Sequence, residues 1–194
     1  MQNIKPGDFI LEIGSGDNPN FHSHVLVDKF FEPTPHRKNT PMKVDYRPII
    51  IGDAQRLPSK DKVFDYVICS HIIEHIPNVE AAFKELMRVS KAGYIEMPSV
   101  YAGNIVGKHD IHLWNIFFDG KTLFLNRKTP ENISRYINPD VYDFFFADIF
   151  WEYIEMFYLR YEWSGSINYR INSDAEMEKK YREYQQFIRR RLSA

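Results

Sequence analysis

Residues 52–98 read GDAQRLPSKDKVFDYVICSHIIEHIPNVEAAFKELMRVSKAGYIEMP, and this stretch decides the fold. Two short apolar runs, FDYVICS at 64–70 and GYIEMPS at 93–99, have the length and turn-bounded character of strands. Between them Val79, Ala82, Phe83, Leu86, Met87 and Ser90 recur at helical spacing. Asn78 stands where an N-cap belongs, and Gly93 is placed to end the helix. Both strands are apolar on both faces, the pattern of a sheet covered on two sides, as in a parallel α/β domain.

Upstream, FILEI (9–13), HVLVD (24–28) and PIIIGD (48–53) repeat that pattern and give three more strands. Their connections are unusual. Only residues 14–24 separate the first two strands, leaving room for at most a stunted helix, and residues 29–47 carry Pro33, Pro35 and Pro41. This flank of the sheet is therefore expected to be poorly covered. After Ser99 the chain grows richer in aromatics. Asp119-Gly120 between strand-like runs predicts a hairpin, Thr129-Pro130-Glu131 a helix start, and MFYLRYEW with SINYRI around Gly165 a second antiparallel pair. Ser173-Asp174-Ala175-Glu176 is a capping box opening a helix with Met177, Tyr181, Tyr184 and Ile188 on one face. The expectation is one domain over 1–194, with a core at 1–99 and an elaboration at 100–194.

The 25 basic and 26 acidic residues among 194, with 44% hydrophobic content, describe a globular chain and argue against a nucleic-acid or membrane partner. The amino terminus carries Lys5, Pro6, Gly7 and Asp8 where a signal peptide would be apolar, so a cytoplasmic location is expected. The aromatic run from Phe144 to Trp163 is broken by Asp148, Glu152, Glu155, Arg160 and Glu162, and reads as core or as a homodimer face. Cys69, in an apolar run, reads as a buried small hydrophobe. Lys179-Lys180 and Arg189-Arg190-Arg191 read as the solvated face and tail of the last helix.

LEIGSGDNP, Leu11 to Pro19, follows the first strand directly. Gly14 and Gly16 permit positive φ and close approach of a ligand to backbone amides. A dinucleotide fingerprint would need a third glycine where Pro19 stands. Asp28 ends the second strand, where its carboxylate can accept both hydroxyls of a ribose, and Asp53-Ala54 ends the third, facing a purine edge. A nucleoside-containing ligand fits all three.

LEIGSGDNP, VLVDKF and the 52–98 stretch together resemble the class I S-adenosylmethionine-dependent methyltransferases, especially those with a type 11 methyltransferase domain. The resemblance covers about residues 8–99 and implies a Rossmann-like, mostly parallel α/β fold. It further implies that Glu12, Gly14, Ser15 and Gly16 line the methionine half of S-adenosylmethionine, that Asp28 binds the ribose and Asp53 with Ala54 the adenine, and that Ser70 and His71 close over the sulfonium. This chain departs from the family pattern at Asn18, where a glycine is usual, at the short first crossover, and at Ala92-Gly93 in place of Gly-Gly.

His71-Ile72-Ile73-Glu74-His75 also fits H-x-x-E-H, in which histidines four apart on a helix hold zinc with Glu74 as base. The strand-end position, where similar methyltransferases carry a Glu-His pair, favours the methyltransferase reading with no metal. Methyl transfer needs the acceptor held in line and, for a hydroxyl or protonated amine, a base; His71, His75, His109 and His112 are the candidates. The expected function is methyl transfer to a small or medium-sized acceptor. The alternatives are a noncatalytic module binding S-adenosylmethionine or its product, and a zinc hydrolase.

Overall fold

The computed structural model describes residues 3–37, 39–100, 102, 112–129, 132 and 154–192. Five strands form where the apolar runs predict them: β1 (Ile10–Ile13), β2 (Val25–Asp28), β3 (Ile49–Ile51), β4 (Phe64–Ser70) and β5 (Ser90–Pro98). With β8 (Tyr158–Ser164) they make a six-stranded sheet ordered β3-β2-β1-β4-β5-β8. The pairs from β3 through β5 are all parallel. The fold is α/β with a Rossmann-like, mostly parallel sheet.

Chain order runs outward from β1 to β3, then jumps back to place β4 on the other side of β1. The two connections diverge there, opening a crevice beyond the carboxyl ends of β1 and β4. Leu11, Leu26, Val27, Val67 and Cys69 are fully buried, which is what makes these runs apolar on both faces.

α1 (Val79–Val89) packs Val79, Ala82, Phe83, Leu86 and Val89 inward, and the Asn78 side chain accepts the Ala81 amide at 3.1 Å. Its end differs from expectation. Ser90, not Gly93, stops the helix: the Ser90 hydroxyl donates to Leu86 O at 2.9 Å, and Lys62 Nζ reaches Ser90 O at 2.8 Å. Gly93 lies inside β5 because nothing larger fits. A Cβ there would sit 2.6 Å from Val67 Cγ1, 2.8 Å from Val67 O and 2.9 Å from Trp163 Nε1.

Among the described residues the short crossovers hold no α-helix; residues 14–24 are turns, and 29–47 contain a 3-10 turn at Pro35–Arg37. Ile51 on β3, with Phe21, Phe30, Phe31 and Tyr46 in the neighbouring loops, is left exposed, as the poor coverage of this flank predicts.

The chain divides into two compact units, residues 1–97 with 160–167, and residues 98–159 with 168–194. In the second unit β6 (Trp114–Phe118) and β7 (Leu123–Arg127) form the predicted hairpin, with Gly120 at φ 91° and Asp119 Oδ1 accepting the Thr122 amide at 2.8 Å. The second predicted hairpin does not form. β8 joins β5 in the large sheet, while β9 (Tyr169–Ile171) runs parallel to β7. Leu159, Tyr161 and Trp163 are buried on alternate positions of β8, so burial takes this strand to the sheet and the turn at Gly165 separates partners rather than pairing them.

α2 (Asp174–Leu192) opens on the expected capping box, with the Ser173 amide donating to Glu176 Oε2 at 2.9 Å. Met177 and Tyr181 pack on Val100, Phe117 and Phe124. The side chains of Tyr184 and Ile188, most of the helix expected from Thr129, and the Phe144–Tyr153 part of the aromatic run lie outside the described residues. The hairpin and α2 are joined by buried amides unforeseen from sequence: Asn132 Nδ2 donates to Asn126 Oδ1 at 3.0 Å and to Asp174 Oδ1 at 2.9 Å. Among the described residues no helix is long and apolar enough to cross a membrane.

Candidate active site

The turn after β1 meets the crevice at Gly14, with φ 74°, and Gly16, with φ 52°. The Gly14 amide donates to Val27 O at 2.7 Å, locking the turn against β2, and the Gly16 amide donates to Asp28 Oδ2 at 3.0 Å. Two predicted ligand groups are thus bonded to one another. A Cβ on Gly14 would collide with Ile72, 2.0 Å from its Cδ1, so the turn after β4 lies directly on the glycine. Ser15 is buried and its hydroxyl has no hydrogen-bond partner.

Asp28 is buried at the end of β2, and its Oδ1 accepts the Phe30 amide at 2.9 Å and Arg37 Nη1 at 3.3 Å. Asp53 follows β3. Its carboxyl is held below the usual range because the Gln55 amide and side chain and Lys29 outweigh the opposing effect of burial; Lys29 Nζ stands 2.9 Å from Oδ2. Ala54 beside it is buried. Glu12 bonds to the crossover that follows β1. Its Oε2 accepts the Asn20 amide at 2.8 Å and the Ser23 hydroxyl at 2.7 Å, so it stitches the short crossover together, and burial raises its pKa.

Ser70 ends β4, paired with Glu96 on β5. His71 follows with φ 55°, a left-handed conformation uncommon outside glycine. Its Nδ1 is 3.5 Å from Glu74 Oε1 and its Nε2 is 3.4 Å from Glu96 Oε1. Burial opposes protonation here, but the nearby carboxylates of Glu74 and Glu96 outweigh it and raise the His71 pKa to about 9. Glu96 is driven to about 2, first by His71, then by Tyr94 and Arg160 against the effect of burial; Arg160 Nε lies 3.1 Å away.

Glu74 is 1% exposed, and neither of its oxygens makes a hydrogen bond; His75 Nε2 stands 3.8 Å from Oε1. The helix that the zinc alternative requires does not form. His71 sits in its left-handed turn and only Ile73–His75 is helical, as a 3-10 turn, so the two histidines do not share an α-helical face.

His112 belongs to the second unit, just before β6, and His109 lies outside the described residues. Sequence reasoning missed Arg37, Glu96 and Arg160. For Glu96 there was a signal, a carboxylate near the carboxyl end of an otherwise apolar strand. Arg37, in an aperiodic loop, had none.

Residues 27–95 match the family model described as a methyltransferase domain. The demethylmenaquinone methyltransferase of Streptomyces griseus is 28% identical over 145 residues, covering 71% of this chain and 59% of that protein. The enzyme of the same name from Streptomyces avermitilis is 33% identical over 109 residues, covering 55% and 41%. The chain therefore spans about half the length of these curated relatives. Among solved structures, an S-adenosylmethionine-dependent methyltransferase from Thermotoga maritima is 24% identical, with 55% and 51% of the two chains covered and a TM-score of 0.38. With the parallel sheet and glycine turn in place, the match over 27–95 shows that this part of the chain is similar to a methyltransferase domain.

Proposed function

We propose that this chain binds S-adenosylmethionine in the crevice beyond β1, β2 and β4 and transfers its methyl group to a small-molecule acceptor. The observation that carries the reading is the Gly16–Asp28 hydrogen bond, which fixes a buried carboxylate at the lip of a positive-φ glycine turn. The residues suit the cofactor. Asp28 supplies an acceptor for a ribose diol, and Asp53 and Ala54 flank the adenine end.

When bound, S-adenosylmethionine supplies an electrophilic methyl on a sulfonium. The chain's task is then to hold an acceptor in line and manage its proton. His71, protonated near neutral pH between Glu74 and Glu96, is suited to donate a hydrogen bond to an oxygen of the acceptor rather than to remove a proton. His75, beside the buried Glu74 carboxylate, is the better-placed base in this unit. Because the two Streptomyces relatives are named for demethylmenaquinone, a quinone-type ring is the first acceptor to assay.

Calorimetric titration with S-adenosylmethionine and S-adenosylhomocysteine, with NAD as control, tests the reading. One-to-one micromolar binding of the first two and none of NAD is expected. Absence of binding by both adenosyl compounds would overturn it.

A further inference from the structure

Arg37 stands where the proposed ribose would be received. Its side chain and that of Asp28 are each only 10% exposed, with Nη1 3.3 Å from Asp28 Oδ1. Its aliphatic stem crosses the glycine turn, Cδ lying 3.3 Å from the position a Cβ would take on Gly16. The Pro35–Arg37 turn is tied to the same place by the Lys43 amide, which donates to Gly16 O at 2.9 Å through the loop that carries Arg37.

The acceptor capacity of Asp28 shows what this contact does. A ribose diol donates two hydrogen bonds and is best received with one vacancy on each carboxylate oxygen. Among the described residues Oδ2 accepts only the Gly16 amide and keeps a lone pair, whereas Oδ1 accepts both the Phe30 amide and Arg37. The Phe30 amide is backbone and follows β2 directly. Arg37 is a side chain, and its bond is the longest of the three.

We infer that Arg37 is a clasp that closes the ribose site, and that an adenosyl ligand must displace its Nη1 from Asp28 to bind. The inference rests on the cofactor reading above. Because the guanidinium is planar, turning Nη1 away also loosens the Nε bond to Thr40 O at 3.2 Å and the Nη2 bonds to Phe30 O at 3.0 Å, Phe31 O and Glu32 O, and these bonds are what hold the clasp shut. If the clasp is shut about nine-tenths of the time, apparent affinity is lowered about tenfold relative to an open site.

The test is S-adenosylhomocysteine affinity, by calorimetry, for the full chain and for Arg37→Met, which keeps the stem over Gly16 and removes the guanidinium. The clasp predicts binding about tenfold tighter in the variant. Equal or weaker binding by a folded variant overturns the clasp while leaving the cofactor reading intact; binding by neither protein removes both. A measurement on the unaltered chain covers the case in which Arg37→Met does not fold. The Arg37 guanidinium NMR resonance must shift in step with S-adenosylhomocysteine saturation, and a resonance unmoved at saturation also overturns the clasp.

Discussion

Replacing Glu96 by Gln should return His71 toward an ordinary histidine. With its pKa at about 9, only about one molecule in a hundred carries neutral His71 at pH 7. Two carboxylates hold that proton, at 3.5 Å and 3.4 Å from the ring nitrogens. An opposite charge this close is worth about 1–3 pKa units, so losing one of the two should lower the value by about one.

Stability follows with a defined sign. The folded pKa lies above 6.5, so the contribution of His71 is fully present below about pH 6.5 and is lost as pH rises through about 9. Nominally this is about 3 kcal/mol at 1.36 kcal/mol per tenfold change in proton affinity. The side chain is 45% exposed, and screening reduces the figure to about 1 kcal/mol. Glu96 acts oppositely: its contribution is present above about pH 4.5 and is lost as pH falls toward 2. The assay is an NMR titration of the imidazole Cε1–H in the full chain and in Glu96→Gln, alongside denaturant unfolding at pH 6 and pH 9.5. A wild-type His71 titrating at or below 6.5 would refute the reasoning and restore this residue as a base at neutral pH.

Gly93→Ala places a methyl 2.8 Å from the backbone oxygen of Val67, which cannot swing aside; overpacking of about 2 kcal/mol should lower the melting temperature by about 4–8 °C, and an unchanged melting curve would contradict the packing of β4, β5 and Trp163. Asp28→Ala should weaken S-adenosylhomocysteine binding by about 1–3 kcal/mol while the far-ultraviolet circular dichroism stays unchanged, and undiminished affinity would remove Asp28 from the site. Ser173→Ala removes one half of a reciprocal cap and should cost about 1 kcal/mol in chemical unfolding, with a loss under 0.3 kcal/mol counting against the cap's role.

The parallel half of the sheet was legible because β1, β2 and β4 are buried on both faces, and double burial writes itself as an unbroken apolar run. The helix start at Asn78 and the capping box at Ser173 were legible because a cap is local chemistry, set within three residues. What failed depended on distant partners. β8 alternates as a half-buried strand does, and nothing within residues 158–171 says that its neighbour is β5 rather than β9. Gly93 looked like a helix stop because a glycine beyond a helix often is one; its actual reason, the close approach of Val67 and Trp163, lies on two other strands. In the site, the glycines and Asp28 were legible as a motif, but their mutual hydrogen bond, the carboxylates around His71 and the placement of Arg37 are tertiary facts.

The short first crossover, a departure from the family pattern, bears on which nucleoside ligand the crevice suits. A dinucleotide fold follows its glycine turn with a helix whose free amides and dipole receive the pyrophosphate. Here residues 14–24 are turns, the Gly14 amide is spent on Val27 O, and the Gly16 amide is spent on Asp28. Asp28 then faces the mouth of that turn as an acceptor of hydroxyl protons. The arrangement offers a pyrophosphate no free amide at either glycine. A ribose diol, which brings donors and no negative charge, finds its acceptor already oriented by the amide that a phosphate would have needed. On the cofactor reading proposed above, this bond takes up an amide that a pyrophosphate would need, which makes NAD the informative control in the titration.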